Sequence, residues 1–216
     1  MILVPVKDTS NAKQRLAGLL DQPARTALAR AMLRDVLEPL SKYGSMDVAL
    51  VTRDGFAIEL GQSYGFEVIR DDANASETNA ITMATEACLA SGIVDILVIP
   101  GDIPLIETDD LRAIYESAPM RGSVLVPSGD QRGTNAVLRR PATLFPLRFG
   151  NYSFLPHLAA ATNTQASCVV LSLPRIALDI DTPEDLTHLA NRPGEKLSQQ
   201  LARKLLALDP IAVEGA

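Results

Sequence analysis

An α/β fold, with a mixed but mainly parallel sheet and helices on both faces, is predicted by three features of this sequence. Short apolar runs alternate with segments of helical periodicity, the βαβ rhythm that implies right-handed crossovers. The run over residues 94–99 is nearly continuous in Val, Ile and Leu, as in a strand buried on both faces of a parallel sheet. That run stops at Pro100-Gly101, since proline lacks a ladder donor and glycine favours a turn. Asp102 therefore arrives at the carboxyl end of a strand, where open α/β sheets place their ligands. A carboxylate there is placed to hold a metal on a phosphate, and a turn Asp equally often caps its own backbone.

The length of 216 residues suits one such domain with a substantial core. We expect it over residues 1–208, with a frayed tail over 209–216. Hydrophobic residues at 47% and charged residues at 21% are ordinary for a soluble globular protein. A formal charge of −6 argues against a general nucleic-acid surface. It leaves room for a small anion, because a local group of Lys and Arg can oppose the global sign. No apolar run reaches the ~18 residues of a membrane span, and the N-terminus reads as a strand, not a signal peptide. Cys88 and Cys168 have no metal-ligand spacing and read as small core residues. A reduced, cytoplasmic setting without a membrane partner is expected.

Taken in order, residues 1–6 form a short apolar strand. The following segment carries Lys7, Lys13 and Arg15, three cations that can surround a triphosphate or lie on a solvated basic loop. Leu28, Ala31, Met32, Val36 and Leu40 recur at helical spacing over 23–40. A strand over 46–51, a helix over 55–64 and a strand over 66–69 follow. There is no Gly-x-Gly-x-x-Gly after the first strand and no Walker A lysine, so neither dinucleotide-binding nor P-loop chemistry is indicated. A polar loop from Arg70 leads into a helix ending near Ala90, with Asn79 in its first turn. Asn79 can read a base or ribose, or serve as an N-terminal cap.

Beyond the central strand, Thr108 is expected to cap a helix whose Asp109 and Asp110 complement the helix dipole. A strand over 123–127 and the turn Gly129–Gly133 lead to Thr134-Asn135 and a strand over 136–139. The Gly-Thr-Asn step offers backbone N–H groups and a hydroxyl to an anion, and would also serve an ordinary hairpin. Gly150 and Ser153 precede a helix reaching about Thr162, another set of donors for a phosphate or carboxylate. His157 follows them, either supporting that loop or packed in the core, while His188 reads as an inert surface residue. A strand over 167–173 comes next. Then Asp179-Ile180-Asp181 reads as strand, which would set two carboxylates on one face. Their repulsion calls for a cation, and an oxygen-only ligand set points to Mg²⁺. Thr182-Pro183 begins a helix, and 196–208 closes the chain as an amphipathic helix.

Val4-Pro5-Val6-Lys7 with Ala12-Lys13-Gln14-Arg15-Leu16, Gly101-Asp102-Ile103-Pro104 and Asp179 to Leu186 occur here in order. With Gly133-Thr134-Asn135 and Phe149-Gly150-x-x-Ser153-Phe154-x-x-His157 between them, the sequence resembles the guanylyltransferases of coenzyme F420 biosynthesis. That family acts on 2-phospho-L-lactate or phosphoenolpyruvate. The resemblance spans residues 1–190 and implies a single-domain nucleotidyltransferase-like fold, Rossmann-like and of GT-A type. It implies transfer of GMP from GTP to a three-carbon phospho-acid, with pyrophosphate released and Mg²⁺ held by Asp102, Asp179 and Asp181. It places Thr134, Gly150 and Ser153 on the acid, Lys7, Lys13 and Arg15 on the GTP phosphates, and Asn79 on the nucleoside side. Lys13 joins the three acids as a catalytic residue. The acceptor leans to phosphoenolpyruvate, with 3-phosphoglycerate an alternative, and a homodimer is compatible. Other readings are a glycosyltransferase that uses Asp-x-Asp on a nucleotide diphosphate, and a silent nucleotide-binding module. Three cations in one loop favour a triphosphate donor over the first, and the three acids together with those cations count against the second.

Overall fold

The computed structural model describes residues 1–150 and 152–207. Its strands are β1 (Ile2–Pro5), β2 (Val48–Val51), β3 (Glu67–Ile69), β4 (Ile96–Val98), β5 (Gly122–Pro127), β6 (Thr134–Arg140) and β7 (Ser167–Val170). They form one sheet in the order β3-β2-β1-β4-β6-β5-β7. The β3-β2, β2-β1, β1-β4 and β5-β7 pairs are parallel, and β6 runs antiparallel to both β4 and β5. The predicted mixed, mainly parallel sheet is thus present, with its central strand at β4, where every residue is buried.

The helices are α1 (Gln22–Tyr43), α2 (Gly55–Ser63), α3 (Glu77–Ala90), α4 (Thr108–Glu116), α5 (Phe154–Asn163), α6 (Pro183–Asn191) and α7 (Leu197–Ala207). Side chains alternate along each strand, so Ile2, Val4 and Leu50 pack under α1, α2 and α4. Leu3, Ala49 and Val98 pack on the opposite face with α3 and α5, where Cys88 fills part of the core. Leu28 and Met32 at the start of α1 join Leu186, Leu189 and Ala202 in a third cluster that docks α6 and α7. The N-terminus of α7 is capped from a distance. Asp35 on α1 is 3% exposed and accepts from the amides of Leu197 and Ser198, at 3.1 and 2.8 Å.

Local expectations fail at four places. Glu107, not Thr108, is the N-cap of α4, in a reciprocal capping box with Asp110. Asp110 is also more than a dipole partner, since it accepts two bonds from the Arg175 guanidinium at 2.8 Å each. The cap of α3 is Ser76, which accepts from the Asn79 amide at 3.1 Å. Residues 178–181 join no strand and no sheet ladder, because β7 ends at Val170 and the chain turns through 174–176 before reaching them. Leu208 and the expected tail over 209–216 lie outside the described residues.

Candidate active site

The loop after β1 is held by its own side chains. Asp54 caps α2 with one carboxylate oxygen and takes two bonds from Thr9, amide and hydroxyl, at 2.8 Å each on the other. Two short 3₁₀ turns, Thr9–Asn11 and Gln14–Leu16, flank Lys13, whose φ of 54° is left-handed. Such a backbone is uncommon for a residue with a side chain. Here it aims the ammonium inward, to 2.7 Å from Asp102 Oδ2 and 3.0 Å from Asp181 Oδ1. Burial would lower the Lys13 pKa, but the two carboxylates override it and hold the group above the ordinary lysine range. Burial likewise opposes charge on Asp181, and the Lys13 charge and hydrogen bond, with Arg15 at 3.3 Å, hold its carboxyl below the usual range.

Asp102 follows β4 in the turn expected of it. Its carbonyl accepts from the Ile180 amide at 3.2 Å, which brings Asp179 and Asp181 alongside. Ile180 is fully buried while the acids on either side line the same cleft as Asp102. The alternation expected of a strand therefore holds in an extended loop. Asp179 Oδ1 accepts from Asn135 Nδ2 at 3.0 Å, and Asn135 also donates to the Ile176 carbonyl at 2.9 Å. Burial, then the charges of Asp102 and Asp181, push the Asp179 carboxyl up.

The opposite wall comes from β6 and the start of α5. Thr134 and Ser153 are 6% and 4% exposed and both line the cleft. The Thr134 amide donates to Ser153 Oγ at 3.0 Å and the Gly133 amide to Ser128 Oγ at 2.7 Å. The Gly133 and Thr134 amides expected to meet an anion are thus spent inside the fold, while Thr134 and Ser153 themselves line the cleft. The first amide of α5, on Phe154, is likewise used by the Arg132 carbonyl at 2.9 Å. Gly150 lines the cleft at φ +126°, a conformation that L side chains rarely adopt. His157 is fully buried beneath this wall, between Thr134 Oγ1 at 2.9 Å and the Arg148 amide at 2.8 Å. It is both a core residue and a support for the loop. Burial, then the positive Arg139, push its ring down to about 4.

One cleft of about 990 Å³ joins Arg15, Asp102, Thr134, Gly150, Ser153, Asp179 and Asp181. Lys13 reaches it through its two carboxylates. Lys7 is exposed, near enough for its charge to act on Glu77. Asn79 is exposed on α3 and is not among the residues lining the cleft. Among the described residues, no group of three or more Asp, Glu, His or Cys is arranged to hold a metal ion. The cation between Asp102 and Asp181 is the Lys13 ammonium. The donors around it are nonetheless all carboxylate oxygens, the set a hard cation takes. Asp179 is held up in part by neighbouring negative charge, which an added cation would relieve.

Further residues line the cleft besides those the sequence singles out, Glu77, Asn135 and His188 among them. Glu77, the first residue of α3, lines the cleft and is pushed up to about 7 by burial, then by Asp102. Its position directly after a capping Ser was the available signal. Asn135 is expected only as part of an anion turn, and in the structure its side chain donates to Asp179 and to the Ile176 carbonyl. His188, expected to be inert, lines the cleft from α6 with Arg192.

The family model described as "Guanylyl transferase CofC like" matches residues 1–210. The chain belongs to that family of guanylyl transferases. A relative from Roseiflexus castenholzii named phosphoenolpyruvate guanylyltransferase is 35% identical, covering 94% of each chain. One from Colwellia psychrerythraea named 3-phospho-D-glycerate guanylyltransferase is 34% identical over 88% of this chain and 90% of its own. A third, from Methanobrevibacter smithii, named 2-phospho-L-lactate guanylyltransferase, is 27% identical over 99% and 93%. A solved structure from Desulfovibrio desulfuricans G20, described as that of a nucleotide-diphospho-sugar transferase, superposes with a TM-score of 0.76. It covers 96% of this chain and 95% of its own, and at 17% identity it speaks for the shared nucleotidyltransferase-like fold alone. This guanylyl transferase is accordingly an enzyme, and its cleft is the place to seek the reaction.

Proposed function

We propose that this guanylyl transferase moves GMP from GTP to phosphoenolpyruvate, releasing pyrophosphate, in the assembly of coenzyme F420. The observation that carries this reading is the cleft itself, with Asp102, Asp179 and Asp181 on one wall and Thr134, Gly150 and Ser153 on the other. Relatives named for phosphoenolpyruvate, such as the one 35% identical from Roseiflexus castenholzii, support that acceptor. A second reading, 3-phosphoglycerate, draws on the 34% identical relative from Colwellia psychrerythraea.

The attacking atom is a phosphate oxygen, largely ionised near neutrality because its second pKa is about 6. It needs no protein base. A bond forms from that oxygen to the α-phosphorus, and the bond from the α-phosphorus to the bridging oxygen of the leaving group breaks. What the protein supplies is alignment and neutralisation of crowded negative charge. Lys13 and Arg15 sit where an incoming triphosphate competes with Asp181 for their positive charge. Thr134 and Ser153 orient the acid through their hydroxyls. Asp102 and Asp179 would hold Mg²⁺, with Asp181 as a further ligand once Lys13 turns to a phosphate. Bound there, Mg²⁺ would add to the positive charge that Lys13 and Arg15 offer the phosphates beside these carboxylates. Among the described residues no helix is long and apolar enough to cross a membrane.

The test is pyrophosphate release from GTP or ATP against phosphoenolpyruvate, 2-phospho-L-lactate and 3-phosphoglycerate, with and without Mg²⁺. Turnover with GTP, phosphoenolpyruvate and Mg²⁺ is expected, and EDTA should abolish it. Binding of a nucleotide sugar in preference to GTP would overturn the assignment.

A further inference from the structure

We propose that His157 is a positioning residue that fixes the Thr134 hydroxyl as a hydrogen-bond donor to the acid substrate. The inference rests on the reading of Thr134 and Ser153 as the acid-binding wall. It follows from which atoms can donate. The Arg148 backbone N–H lies 2.8 Å from His157 Nε2. An amide N–H only donates, so Nε2 must be the accepting nitrogen. An imidazolium would set two donors against each other there, and burial disfavours that form. The single ring proton therefore sits on Nδ1 and donates to Thr134 Oγ1 at 2.9 Å.

Thr134 Oγ1 is thereby an acceptor inside the fold, and its own hydrogen is left for the cleft. Ser153 is built the same way. Its Oγ accepts the Thr134 amide at 3.0 Å, and although Ser153 is the N-cap of α5 it makes no side-chain bond to its own helix. Two adjacent hydroxyls thus use their oxygens inward, and each retains a hydrogen to present outward. Paired donors of fixed polarity suit an acceptor-only ligand, an ionised carboxylate or phosphate. They do not suit a group that must itself donate. The ring also ties Thr134 to the Arg148-Phe149-Gly150 loop, since Phe149 packs edge-on against it with centroids 5.3 Å apart.

The decisive measurement separates KM for the acid from KM for GTP. His157→Asn keeps an N–H near the Nδ1 position and should hold the acid KM within about threefold of the parent. His157→Gln keeps an acceptor for Arg148 but removes the donor at Nδ1. It should raise the acid KM about tenfold, the scale of one hydrogen bond to a charged group, with GTP KM unchanged. Equal effects of the two variants on the acid KM, or a parallel rise in both KM values, would overturn the proposal. Ring ¹⁵N spectroscopy on the unaltered protein needs no variant to fold. A neutral His157 protonated at Nδ1 is expected, and protonation at Nε2 would refute it. Thr134→Val separates the two levels of the argument. If it leaves the acid KM unchanged, the acid-binding wall itself is misassigned. If it raises that KM while His157→Gln does not, only the positioning role fails.

Discussion

Lys13 and Asp102, 89 positions apart in the chain, meet through a hydrogen bond of 2.7 Å beside the cleft. The same ammonium holds Asp181 at 3.0 Å, so one buried cation joins the loop after β1 to both acidic loops. The arrangement is charge-balanced locally only while Lys13 stays in place. A nucleotide arriving with its metal would trade that balance for a new one.

Replacing Lys13 with Met should lower kcat by about a hundredfold or more, the scale of a lost electrostatic contact to a developing charge. The loss of stability should be modest, because Asp102 and Asp181 are 34% and 38% exposed and water can take over their solvation. Steady-state kinetics alongside thermal melts check both. Near-normal turnover would remove Lys13 from the mechanism.

Asp102→Asn and Asp181→Asn should each abolish measurable pyrophosphate release while the circular dichroism spectrum is unchanged. An amide keeps the shape of the side chain and loses its charge, so raising Mg²⁺ should not restore the rate. Either variant working at parental rate at ordinary Mg²⁺ would exclude that residue as a ligand.

The Glu77 carboxyl, ordinarily at 4.5, is pushed up to about 7 in the folded chain by burial and then by Asp102. Between these values the folded state binds more protons than the unfolded one. Stability is therefore lost as pH rises from about 4.5 to about 7, and is flat above. Glu77→Gln should remove this slope, raising Tm at pH 8 and leaving it unchanged near pH 4.5. Melts of both proteins across that range measure it, and parallel curves would count against the shift.

Asp35→Ala removes the acceptor that caps α7 from α1 and should cost about 1–3 kcal/mol. At this chain size that lowers Tm by roughly 2–4 °C per kcal/mol. Substrate KM values should be unaffected below the melt, since Asp35 lies away from the cleft. Urea unfolding with unchanged m would identify a loss of stability alone.

The sheet was legible because β4 is uniformly apolar and its stop at Pro100-Gly101 is punctuated by residues with one dominant physical meaning. Asp102, Asp179, Asp181, Thr134, Gly150 and Ser153 were legible as motifs, and the structure brings all six to one cleft. What the sequence hid was partnership. Nothing local says that Lys13 would adopt a left-handed backbone and enter between two acids, because that choice depends on Asp102 and Asp181 being there. Asp110 looked like a dipole residue because its partner Arg175 is remote in the chain. The expected strand at 178–181 failed for a similar reason, as alternation reports burial and not the presence of a neighbouring ladder. Residue type carried the chemistry, and long-range pairing decided how it was disposed.

The main-chain bond from Ile180 to the Asp102 carbonyl makes two distant segments a single mechanical unit. A ligand that displaces one segment without the other has to give up that bond, at a cost of about 1 kcal/mol. Deuterium uptake at the Ile180 amide then becomes a gauge for the whole pocket, slowing when the site fills and quickening when the stitch is cut.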